Sequence, residues 1–161
     1  MPRSGSYTGH PHQAILGPVV PSEGAFRGTT RLFAIISLIS MPTVMFGGYS
    51  LLRLLTRNDG LTPFQRTYFR AGHAHAGVLL VLSLIYYDYL DRTTFSDGWK
   101  WLAGGMLAVA ILAQSGGFFL HMANGKPDSG SIGTRVTAVG AVFLAIAVVM
   151  LAVGWIVEYP D

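Results

Sequence analysis

Polar and apolar residues in this chain are sorted into blocks rather than alternated. Four stretches carry no Asp, Glu, Lys or Arg: Leu32–Leu52, Ala71–Tyr87, Trp101–Gly125 and Val136–Val157, of 21, 17, 25 and 22 residues. A helix needs about 17–25 predominantly apolar residues to cross the hydrocarbon of a bilayer, so each block predicts a transmembrane helix. The pattern predicts an all-α integral membrane protein of four transmembrane helices in an up-down bundle. The spans are expected at about 32–52, 70–90, 100–123 and 135–157, behind a mostly irregular N-terminal tail over residues 1–30.

The polar residues between the blocks place the helix ends. Thr62 followed by Pro63 is a helix start, because a threonine cap accepts an orphan N–H and proline tolerates the first helical position. The second helix is therefore expected to begin near Pro63, outside the hydrocarbon. Tyr86, Tyr87 and Tyr89 close that span, Trp99 and Trp101 open the next, and Trp155 and Tyr159 close the last, as aromatic belts do at membrane interfaces. Asn124-Gly125-Lys126-Pro127-Asp128 predicts a turn. Pro42, near the middle of the first span, removes a backbone donor and is expected to kink it. The spans share no common spacing that would mark an internal repeat. The tail precedes a span of full length instead of placing a short apolar core at the start, so it does not resemble a cleavable signal and the first span is expected to stay as an anchor.

Composition sharpens this picture. The chain has 161 residues, 51% hydrophobic and 12% charged, with a mean hydropathy of +0.46. An average soluble domain is about 25% charged, and one this poor in charge could not cover four such blocks. It contains no cysteine, which excludes disulfides, thiolate zinc sites, cysteine-ligated iron–sulfur clusters and a thiol nucleophile. The formal charge is +3, and no basic block is interleaved with aromatics, so no nucleic acid is expected as a partner. The lipid bilayer and other membrane protein subunits are.

Four spans put both termini on one face. The opposite face holds Arg53, Arg57, Arg66, Arg70, Lys126 and Arg135, six basic residues against the acidic Asp59 and Asp128; the terminal face holds five basic and six acidic residues. Lys and Arg concentrate in cytoplasmic loops, so both termini are expected outside, in a multi-pass protein of the inner (plasma) membrane.

Candidate chemistry is confined to histidines. His73 and His75 open the second span within Gly72-His73-Ala74-His75-Ala76-Gly77, and His121 closes the third. Antiparallel neighbours would bring these ends to one face, with His75 five residues inside Arg70 and His121 five inside Lys126. Imidazole ligates haem iron or a transition metal without thiols, so His75, His121 and His73 are the candidate ligands for haem b, and His75 with His121 for a metal ion. Residues two apart on a helix point about 200° apart, so at most one of His73 and His75 can face His121. Glycines 72, 77, 116 and 117 can open a slot for a macrocycle or let helices touch. The plainer reading has each histidine satisfied by a headgroup, water or carbonyl, with Gly72 and Ala76 forming a packing face. Gln114, Gly117, Phe118 and His121 share one face at helical spacing, as interhelical glue or as a polar relay. His10-Pro11-His12 in the tail is a further metal-binding pair or a solvated segment.

The segment FRAGHAHAGVLL, Phe69–Leu80, resembles segments of small bacterial four-span membrane proteins. It also resembles the histidine-bearing helices of haem–copper oxidases and nitric oxide reductases. The resemblance covers a dozen residues and carries no ligand role over. No catalytic motif occurs: there is no hydrolase elbow, phosphate loop or HExxH. The leading expectation is a non-catalytic subunit or assembly factor of a larger inner-membrane complex, of respiratory or lipid-transport type. The alternative is a haem b or metal-binding protein for electron transfer or metal handling. A small transporter or channel comes third, because the central turns of the spans carry no charge.

Overall fold

The computed structural model describes residues 28–57 and 60–158. The expectations for the tail, His10 and His12 included, and for Tyr159 lie outside the described residues. Within them the chain forms four helices and no strand: α1 (Gly28–Arg57), α2 (Pro63–Asp91), α3 (Asp97–Asn124) and α4 (Ile132–Glu158). Each is long and apolar enough to span a membrane. Helices satisfy their own backbone groups, which is what an apolar block surrounded by lipid requires.

The ends are set by local chemistry. Thr62 caps α2: its hydroxyl accepts from the Gln65 N–H (3.2 Å), while the Gln65 side chain accepts from the Thr62 N–H (3.0 Å), with Pro63 at the first helical position. Ser131 caps α4 the same way, accepting from the Gly133 N–H (3.0 Å) while the Thr134 hydroxyl accepts from the Ser131 N–H (2.9 Å). Between α3 and α4 the turn passes through Asp128, whose φ of 57° is in the left-handed region. α1 runs unbroken through Pro42.

Contacts link α1 to α2 and α3, α2 to α3, and α3 to α4; α2 meets α4 only slightly, and α1 and α4 do not meet among the described residues. α3 is the axis: 44% of its most apolar window is buried, against 17% in α1 and α2 and 11% in α4. Contacts between α1 and α2 pair the start of α1 with the end of α2 and the second half of α1 with the first half of α2. Thr30 donates to Asp91 (2.7 Å), Ser83 donates to Ser37 (2.9 Å), and His73 packs on Gly47 and Gly48.

The core lies at the end where α1 starts. Phe33 stacks on Tyr87 (centroids 5.5 Å) and meets Trp101 edge-on (5.2 Å), above Leu90, Ala103 and Leu107. The Tyr86 hydroxyl donates to the Ala147 carbonyl (2.8 Å), tying α2 to α4. α3 and α4 come closest at the other end. A Cβ added to Gly117 would collide with Thr137 and with the Gly133 carbonyl oxygen, and one added to Gly133 would collide with the His121 backbone.

Candidate functional site

His121 is buried, at 2% exposure, in the last turn of α3. Its Nδ1 lies 2.7 Å from Ser131 Oγ, the same hydroxyl that caps α4. Two rings from the first turns of α2 close over it edge-on, Tyr68 at 4.3 Å and Phe64 at 5.3 Å between centroids. Gly125 completes the enclosure, because a Cβ there would strike the imidazole. His121 thus joins the start of α2, the end of α3 and the cap of α4.

His75 is exposed, and its ring lies against Phe118 (4.7 Å). Its Nδ1 stands 3.1 Å from the Ala71 carbonyl oxygen, one turn back. A carbonyl only accepts, so Nδ1 is the donor in this contact, and the neutral tautomer that matches it has its lone pair at Nε2. His75 also lines an open pocket of about 340 Å3 with Ala74, Val78 and Leu79 of α2, Gln114 of α3 and Leu144 of α4. His73 turns to the opposite neighbour: a Cβ on Gly48 would stand 2.9 Å from its Nε2. The divergence of His73 and His75 follows from the 200° between alternate helical residues.

The expected alignment of His75 with His121 is not what the helices produce. His121 is level with Tyr68, and His75 with Phe118. His75 is seven residues beyond Tyr68 on α2, roughly 10 Å of rise, and Phe118 is three residues before His121 on α3, roughly 4.5 Å, so the offset of the two rings along the pair lies between these values. Phe64 and Tyr68, ahead of Arg70, are the part of α2 that packs on His121, so counting inward from Arg70 and Lys126 does not give the register of the two helices. Among the described residues no ring contact joins any two of the three imidazoles, and no group of three or more His, Cys, Asp or Glu side chains gathers.

The glycines serve helix contacts. Gly72 is filled by Phe118 and Phe119, with a Cβ position 3.1 Å from each, and Gly117 by α4. Gly116 faces open space and Gly77 only Val44. Of the expected shared face on α3, Gly117 meets α4, Phe118 meets α2, and His121 meets both. Gly140 accommodates the stem of Gln114, whose Cγ would be 2.9 Å from a Cβ there. Sequence reasoning missed Ser131, Tyr68 and Phe64. The spacing of Ser131 and Thr134 ahead of an apolar block was a readable cap signal; the two rings carried no signal, since aromatics at a span's edge are ordinary interface residues.

Compared with known proteins, the chain matches no family model, no curated protein and no solved structure.

Proposed function

We propose that the chain is an up-down four-span protein of the inner membrane, both termini outside, acting as a non-catalytic subunit or assembly factor of a larger complex of respiratory or lipid-transport type. The open order of the helices carries this reading: α1 and α4 flank the α2–α3 pair without meeting. Among the described residues this order leaves lateral faces of the outer helices open to other molecules. The second half of α1 is one of these, with Met45, Phe46, Tyr49 and Leu52 60–73% exposed. Large contiguous apolar faces serve lipid or a protein neighbour, and in a bilayer small-residue contacts and packing drive helix association. The partners are thus the lipid bilayer and further membrane subunits. Purification of the tagged protein from its native membrane in mild detergent tests the reading. A companion set in fixed ratio supports it; recovery of the protein alone overturns it.

The second reading, a haem b or metal-binding protein, has its own supporting observation. His75 and His121 each engage Nδ1 with a protein oxygen, the kind of contact that orients a ligating imidazole. Because the two rings occupy different levels, a haem or ion would rest on one of them rather than bridge both. A reduced-minus-oxidised spectrum and metal analysis check this reading. A signal lost in His75→Ala or His121→Ala supports it, and a colourless, metal-free native preparation overturns it.

A further inference from the structure

The pocket beside His75 is a different kind of feature from the lateral faces. It opens sideways between three helices, and its walls are Ala74, Val78, Leu79 and Leu144. Two residues with polar side chains line it, His75 and Gln114. Its volume of about 340 Å3 lies in the range of small-molecule sites, which are mostly apolar with a few placed polar groups. The polarity is specific. His75 Nδ1 is committed to Ala71, so the neutral ring can only accept at Nε2. Gln114 supplies both a donor and an acceptor, and its stem is seated against Gly140. An acceptor on an apolar wall lacks a partner in hydrocarbon, and a lipid-borne hydroxyl would supply one.

We propose that this pocket binds a lipid-soluble alcohol or phenol, whose hydroxyl donates to His75 Nε2 while the Gln114 amide bonds an oxygen of the same molecule. The quinol form of an isoprenoid quinone and an isoprenoid alcohol share this chemistry. A quinone or an ether does not, because neither has an O–H to give. The inference rests on the membrane reading above and not on the identity of any partner subunit.

The test uses the full chain, labelled with 15N-histidine, in phosphatidylcholine nanodiscs. The His75 signals are assigned by their loss in His75→Phe. The probes are a short-chain naphthoquinol, its quinone, its dimethyl ether, and farnesol. The expected result is a shift of the His75 Nε2 resonance with the quinol or with farnesol, while the quinone and the ether bind about tenfold more weakly than the quinol, the worth of one hydrogen bond. Whichever hydroxyl probe binds identifies the source. His75→Phe removes the hydroxyl preference and Gln114→Leu weakens binding, with the His121 resonance unmoved as the sign of an intact fold. Equal binding of quinol and ether, no response to either hydroxyl probe, or occupation of Nε2 by haem or zinc overturns the proposal. A protein that stays outside the discs overturns the membrane reading itself; one that enters them without hydroxyl preference overturns the pocket alone.

Discussion

Gly116 and Gly117 are adjacent in sequence and opposite in consequence. Gly117 and Gly133 stand where α3 and α4 touch backbone to backbone, while Gly116 faces open space. Gly133→Ala or Gly117→Ala must push the helices apart, and overpacking of this kind costs about 1–3 kcal/mol. Gly116→Ala fills nothing and replaces a poor helix former, so it is expected to be neutral or to stabilise by about 0.5–1 kcal/mol. Thermal unfolding of the three variants in one detergent checks the contrast, and equal destabilisation by Gly116→Ala would refute it. Nothing in the sequence separates these glycines, because the difference lies in which side of α3 receives α4. His121 shows the same limit. Its place near the end of a span was readable, but its bond to Ser131 was not. Ser131→Ala removes a helix cap, worth about 1 kcal/mol, and strands the His121 Nδ1. The double variant Ser131→Ala/His121→Ala should therefore lose less than the sum of the singles, as measured by the same unfolding assay.

Elements were the most legible scale, because their signals are local. Four uncharged blocks became four helices, and Thr62-Pro63 became a capped start to α2. Thr62→Ala should cost about 1 kcal/mol and speed amide exchange in the first turn of α2 while leaving its centre protected. Uniform loss of protection along α2 would show that the cap does more than hold that turn. What local signals do not specify is rotation and depth. α4 is apolar around its whole circumference, so no polar stripe says which side meets α3. Depth counted from the bracketing charges Arg70 and Lys126 did not give the register of α2 on α3, which pairs His121 with Tyr68 and His75 with Phe118. The face shared by Gln114, Gly117, Phe118 and His121 lies between two neighbours, with Gly117 against α4, Phe118 against α2 and His121 against both.

At the scale of the molecule, the row of helices and the distribution of charge combine into a claim about sides. α1 and α3 end, and α2 and α4 begin, at the end where His121 is packed, and α2 ends and α3 begins at the end of the Phe33–Tyr87 core. The first and third connections therefore lie at one end and the second at the other. If all four helices cross the bilayer, the first and third loops are on one side and the second loop on the other. Lys and Arg favour the cytoplasm for the first and third. The chain contains no cysteine, so single replacements report on sides without background. Ser129→Cys and Ser96→Cys place one thiol in each kind of loop, both at exposed positions. In intact cells a membrane-impermeant maleimide should label Ser96→Cys and leave Ser129→Cys unreacted until the membrane is opened. The reverse pattern would invert the orientation while preserving the four crossings. Labelling of both thiols in intact cells would refute the up-down arrangement, and with it the placement of the His75 pocket against lipid.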